Sequence, residues 1–228
     1  GKDGVEWGNM SRSDFVRIRD DKRLVLKDVL IPEILTRTEV ITLPLMKTHN
    51  KSTITGAVKN QWGCLRELRH NYHLVLSRAL VDVNAIVKPR FAVMDGTIGL
   101  EGNGPKSGAP KEMNLLLASG DIVALDVTAA QIMGFDPAGI EHLQLCAQHG
   151  LGKGAPADIR VAGESIEDAI ARHAGNELGL TLQRVEVVLP RFRYRATDAG
   201  GTVENEICPV YTAFATDEPR PNPAEVAE

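Results

Sequence analysis

Residues 43–63, LPLMKTHNKSTITGAVKNQWG, decide how the rest of the chain is read. The apolar run 40–46 is extended in character and ends in Lys47, Thr48 and His49. A turn-like Asn50-Lys51-Ser52 follows, then a segment able to form a helix that carries Lys59 and Asn60. The pattern predicts a strand-to-helix junction that gathers cationic and hydrogen-bonding side chains, where α/β proteins commonly place ligands. In an extended segment Lys47 and His49 point to the same side. An ammonium and an imidazole there can neutralise a phosphate or carboxylate, or the histidine can move a proton. Ser52, Thr53 and Thr55 are expected at the start of the helix, where free N–H groups favour an anion, with Thr55 and Lys59 on one helical face. The plain alternatives are a solvated strand end and an ordinary outer helix face.

Outward from this stretch, residues 15–18 and 23–26 predict a hairpin around the turn 20–22. Pro32 predicts a short helix over 32–35, since proline suits the first helical position. Residues 40–45 read as a strand interrupted late by Pro44. Residues 62–69 extend the helix that carries Lys59 and Asn60, and 71–87 carry apolar positions spaced for a buried helical face that ends before Pro89. Residues 90–94 read as a short buried strand, followed by a glycine-rich loop over 96–109. Asp121 is a good N-cap for a helix over 122–133, and Pro137 opens another over 138–148. A strand over 159–162, a Ser165-capped helix over 166–173 and a last strand over 184–189 complete the reading. Strands separated by helices predict an α/β fold: a mixed or mostly parallel sheet with flanking helices. The expected organisation is a single α/β domain over 1–208 and a loose Pro/Glu-rich tail over 209–228.

Two further stretches carry chemistry. Asp95 ends the strand 90–94 and opens DGTIGLEGNGPKSG, whose glycines let a backbone turn sharply and present amides inward. It is not a Walker loop, because Lys106 lacks that spacing, and it is not GxGxxG. Glu101 either ligates a metal with Asp95 or hydrogen-bonds its own loop. Asp126 stands among Ile122, Val123, Leu125, Val127, Ala129 and Ala130, so its carboxylate must be paired, metal-bound or turned to solvent. His142, His149 and His173 read as surface or cap residues, while His70 and His73 follow the site's helix closely enough to join it.

Composition narrows the classes. With 26 basic and 30 acidic residues among 228, a formal charge of -4 gives no reason to expect a nucleic-acid partner. Only 4% of residues are aromatic, which suggests no base-stacking surface. No run reaches the roughly 18 to 20 apolar residues of a membrane span. Cys64, Cys146 and Cys208 are far apart, so no ferredoxin-type cluster motif is present. The first residue is Gly1, and localisation is expected to be cytoplasmic, or periplasmic if a leader has been removed.

The stretches LPLMKTH, TGAVKNQWGC, VMDGTIGLEGNGPKSG, LLLASGDIVALDVTAAQIMGFDP and GLGKG, taken in order, resemble the bacterial and archaeal domain-of-unknown-function family 362 over residues 40–163. Members often carry a ferredoxin module for two [4Fe–4S] clusters and are labelled iron–sulfur proteins for it; that module has no counterpart here. The resemblance puts the family's recurring positions on Lys47, His49, Lys59, Asn60, Gly63, Asp95, Gly96, Glu101, Gly104, Pro105, Gly108, Asp121 and Asp126. The family's earlier Lys-Pro-Asn element and βα unit are not found in residues 1–39, so an incomplete version of the family fold is expected, completed by a partner chain, a second copy or a missing N-terminal segment.

The expected function is an enzyme acting on a small anionic substrate, metal-assisted or redox. The alternative is a non-catalytic binding or assembly subunit partnering an iron–sulfur protein. His49, Asp95 and Asp126 are the catalytic candidates; Lys47, Thr55, Lys59, Asn60 and Gly104 would bind substrate. Asp95, Glu101 and Asp126 are the candidate ligands for a divalent metal, and an iron–sulfur centre is the other cofactor considered.

Overall fold

The computed structural model describes residues 8–66, 69–197 and 203–224. Pro44 divides the first predicted strand into β3 (Ile41–Thr42) and β4 (Leu45–His49). Its carbonyl still accepts the Asp95 amide at 2.9 Å, so the sheet holds across the break. β6 (Phe91–Glu101) runs parallel to both, with Ile41 opposite Phe91 and Leu45 opposite Asp95. β5 (Thr53–Thr55) folds back antiparallel on β4, and β7 (Ala109–Ser119) lies antiparallel along β6. The fold is therefore α/β with a mixed sheet and flanking helices.

The helix α4 (Ile122–Ile132) packs against β6 and β7, as expected for residues 122–133. α2 (Ala57–Asn60) packs on α4, and α3 (Leu76–Val87) on α5 (Glu141–Gln148). Met46 and Met94 from the sheet, Leu80 from α3, Val123 from α4 and Leu143 from α5 are fully buried in one core. Ile41, Leu43, Leu45 and Leu116 instead leave apolar side chains exposed on β3, β4, β7 and the Pro44 break.

Several expected elements shift. β1 (Phe15–Arg19) pairs antiparallel with β2 (Asp28–Pro32), so the hairpin exists but its second strand lies beyond residues 23–26. Pro32 ends β2, and the short helix α1 (Ile34–Arg37) begins after it. Residues 69–75 form a 3-10 turn before α3. The glycine-rich stretch is strand as far as Glu101, which places Asp95 within β6 rather than at a strand end. No strand forms over 159–162.

The chain divides into two compact units, Gly1–Val161 and Ala162–Glu228. In the second, Ser165 caps α6 (Ile166–Leu178) by accepting the Asp168 amide, and Gly179 closes it at φ +66°. A long antiparallel hairpin follows, β8 (Leu182–Thr197) and β9 (Val203–Ala215). The boundary expected at residue 208 thus falls inside β9. Beyond it the backbone is tied to the end of α6, with Arg220 N donating to the Leu178 carbonyl at 2.6 Å and Asn222 N to Glu177 at 2.7 Å. Those carbonyls have no partner within the helix, and composition alone cannot show that the tail satisfies them. Among the described residues no helix is long and apolar enough to cross a membrane.

Candidate functional site

The turn after β4 is tightly determined. Lys51 N donates to His49 Nδ1 at 3.0 Å, Ser52 Oγ to the Ile54 carbonyl at 2.9 Å, and Asn50 N to the Gly104 carbonyl at 3.2 Å. Thr53 is held at φ +63°, a rare conformation for a β-branched residue and one that costs about 1–3 kcal/mol. Gly104 must be glycine, because a Cβ there would run into the Thr48 carbonyl oxygen. The turn and the β6–β7 loop are thereby locked together.

These contacts fix the chemistry of His49. With Nδ1 accepting an amide, the neutral ring carries its proton on Nε2 and can only donate there. Burial, then the charges of Lys59, His73 and Lys47, lower its pKa to about 4. Around neutral pH His49 is therefore an uncharged hydrogen-bond donor through Nε2 while the turn is intact.

Lys47 and Thr55 are cross-strand partners, as are His49 and Thr53. Thr55 lies in β5, so the expectation that it shares a helical face with Lys59 is corrected. Its buried Oγ1 has no hydrogen-bond partner. Lys59, on α2, has its pKa lowered by burial, then by Lys47 and Arg69. Asn60 is turned aside: its Nδ2 donates to Thr42 Oγ1 at 2.7 Å. The amides at the start of α2, expected to meet an anion, are taken by Asp126.

His49 opens onto a cleft of about 510 Å³ whose wall includes Lys51, Arg69, His73, Trp62 and Lys106, together with Gly104. Lys47 and Lys59 lie outside the wall but within electrostatic range of His49. None of the described residues that line the cleft is a carboxylate. Among the described residues Lys47, Lys51, Lys59, Arg69 and Lys106 form no ion pair. Lys51, Arg69 and Lys106 are the residues that sequence reasoning missed, because they come from three separate loops. His73 does join the cleft, and the side chain of His70 lies outside the described residues.

The expected acidic side does not assemble. Asp95 is exposed on β6 and its Oδ1 accepts the Thr97 amide at 2.9 Å. Glu101 pairs with Lys111 at 2.8 Å, in the wall of a separate cavity of about 270 Å³ that includes Met46, Met113, Met133 and Phe135. Asp126 is fully buried and accepts the amides of Ala57 at 2.7 Å and Val58 at 2.9 Å. Asp121 caps α4 through Val123 N and Ala124 N, and its other oxygen accepts Lys153 N of the GLGKG stretch. Among the described residues no three His, Cys, Asp or Glu side chains gather into a metal-binding group. Cys64 and Cys146 are buried thiols pushed up to about 11 and about 12, so neither is a ready nucleophile.

His142 also departs from expectation. It is 1% exposed rather than a surface residue, its Nε2 has no partner, and burial, then Lys59 and His49, lower its pKa to about 4. A histidine with a lowered folded pKa binds fewer protons than the unfolded chain between that value and 6.5. The stability present above pH 6.5 is lost as the pH falls from there towards 4. Asp126, raised to about 7 by burial against its two amide bonds, acts in the opposite sense over the same window. His142→Asn should therefore make the stability at pH 7 relative to that at pH 5 about 2 kcal/mol less favourable than in the parent, whatever the opposing contribution of Asp126. Urea titrations of both proteins at the two pH values check this; the same pH 5 to pH 7 difference in variant and parent would mean that His142 titrates normally in the folded protein.

Comparisons place the chain among known proteins. The isopentenyl-diphosphate Delta-isomerase of Saccharopolyspora erythraea is 59% identical over 64 residues, 28% of this chain and 33% of that protein. The same-named protein of Kocuria rhizophila is 58% identical over 65 residues, 28% of this chain and 36% of its own length. Thylakoid-associated protein sll1697 of Synechocystis sp. is 36% identical over 121 residues, 50% of this chain and 37% of that protein. The chain spans about a third of the length of the curated relatives it matches. A family model, Domain of unknown function (DUF362), matches residues 1–131, which includes the N-terminal part where no family element was expected. The chain belongs to the DUF362 family.

Proposed function

We propose that the first unit binds a small anionic substrate in the cleft at His49 and acts on it by stabilising negative charge. The observation that supports this is the cleft wall: Lys51, Arg69 and Lys106 with His49 and His73, and no carboxylate among the described residues that line it. Cations and an uncharged N–H donor gathered at one cleft favour charge that develops on a bound group. Lys47 and Lys59 add to the field. Proton abstraction by His49 is not part of this reading, since its Nδ1 is engaged and its Nε2 carries the proton. Metal-assisted or redox chemistry through Asp95, Glu101 and Asp126 is not carried forward either, because their side chains are engaged in three different places.

The alternative, a binding or assembly subunit without catalysis, is favoured by the same engagement of the carboxylates. A partner chain or second copy that completes the sheet is supported by the exposed apolar residues of β3, β4 and β7. The isomerase likeness covers 64 to 66 residues, about the length of the second unit, and we assign it there because the family model holds residues 1–131. That is about a third of such an enzyme, so isomerisation is not proposed for this chain alone.

The test is thermal. At matched ionic strength, phosphate, sulfate or citrate should raise the melting temperature above that in chloride. The double variant Arg69→Ala/Lys106→Ala should fold normally and lose that response. Absence of stabilisation by every anion would overturn the reading.

A further inference from the structure

We infer that the cleft is built for a ligand carrying at least two phosphate-type negative charges, of the phosphate-ester or diphosphate class, rather than for a monocarboxylate. This rests on the anion-binding reading above and goes beyond it to the class of ligand. The argument begins with the count and placement of charge. Lys51 stands in the turn between β4 and β5, Arg69 in the 3-10 turn before α3, and Lys106 in the loop between β6 and β7. Three cations on three elements line one concavity. A monocarboxylate could neutralise only one of them, and Lys47 and Lys59 would still add positive potential behind it. A diphosphate or a doubly ionised phosphate ester matches a surround of this kind.

Hydrogen-bonding capacity agrees. Among the described residues the guanidinium of Arg69 makes one long contact, Nη1 to the Trp62 carbonyl at 3.4 Å, and its planar donor set suits tetrahedral phosphate oxygens. His49 offers a neutral N–H, and the wall also presents Asn103 and Ser107. These are donors suited to an acceptor-rich group. The volume of about 510 Å³ lies within the range of small-molecule sites and leaves room for an organic remainder. Trp62, whose ring meets Tyr72 edge-on at 6.3 Å, is the apolar wall against which that remainder would lie.

Isothermal titration of the full chain at constant ionic strength tests this with inorganic pyrophosphate, inorganic phosphate, citrate and acetate. Pyrophosphate should bind at least tenfold more tightly than phosphate, and acetate should give no measurable heat. Arg69→Ala and Lys106→Ala should each weaken pyrophosphate at least tenfold without lowering the melting temperature, and His49→Gln should weaken it less than His49→Ala. Citrate or acetate binding as tightly as pyrophosphate would overturn the ligand class while leaving an anion site in place. Pyrophosphate binding untouched by either cation variant would overturn the location. No binding of any of the four would remove both this inference and the reading beneath it.

Discussion

Asp126→Ala is expected to lower the unfolding free energy by about 3–5 kcal/mol, because the carboxylate is a structural cap supplied from another helix. α2 is four residues long and its N-cap is Gly56, which has no side chain to satisfy the first amides. Asp126 does so from α4, taking Ala57 N on one oxygen and Val58 N on the other. Gly56 is the counterpart of this arrangement, since a Cβ there would occupy the position of the carboxylate. Removing the carboxylate orphans two buried amides, each costing about 1–3 kcal/mol, and leaves a void among apolar neighbours. A helix this short cannot stand without its tertiary contacts. For a chain of this size the melting temperature should fall by roughly 10 °C.

Asp126→Asn keeps one acceptor oxygen and should cost about half as much. In both variants anion binding should weaken with the loss of structure, as Lys59 follows α2. Urea denaturation and titration with inorganic phosphate, compared for the same variants, decide the matter. Stability within 1 kcal/mol of the parent combined with lost anion binding would return Asp126 to a direct role in the site.

The contrast between Asp121 and Asp126 shows what a sequence can disclose. Asp121 bonds amides two and three residues away, so its capping role is visible in the local pattern. Asp126 meets amides 68 and 69 residues away, and an apolar neighbourhood says only that its charge must be answered somewhere. The same limit applies to the cleft. Lys47, His49 and Lys59 are close in sequence and were legible as a group, whereas Arg69 and Lys106 join them only when the 3-10 turn and the β6–β7 loop are in place. The sheet was legible where β-rich runs met turns. β7 was hidden because residues 96–109 read as one long glycine loop, although Met113, Leu115 and Leu117 alternate with more exposed neighbours as a strand should. The short polar helix start at Ser52–Thr55 was misread because the turn returns as β5 before any helix begins—a choice made by pairing with β4 rather than by local propensity.

Asp82→Ala should be comparably damaging, at about 3–5 kcal/mol, and for a reason that also explains the displaced hairpin. The run RLVL at residues 23–26 has the composition of a strand, yet its amides never enter a ladder. Leu24 N donates to Asp82 Oδ1 at 3.0 Å, while Val25 N and Leu26 N donate to Oδ2 at 2.7 and 2.8 Å. The Asp82 carbonyl accepts Arg23 Nη1 at 3.3 Å, so side chain and backbone of one residue in α3 hold the whole segment. This anchoring sets Leu26, which is fully buried, into the core and leaves residues 28–32 to pair with β1. Alanine would strand three amides at once in a site where Asp82 itself is 3% exposed. Asparagine would rescue only part of this, because its single oxygen can keep the two amides that share Oδ2 while its amide nitrogen faces the third backbone donor. Hydrogen exchange gives the discriminating readout: the amides of Leu24, Val25 and Leu26 should lose protection in Asp82→Asn before the amides of β6 do. Retained protection at all three, with stability within 1 kcal/mol of the parent, would mean that the segment is held by the burial of Leu26 and not by the carboxylate.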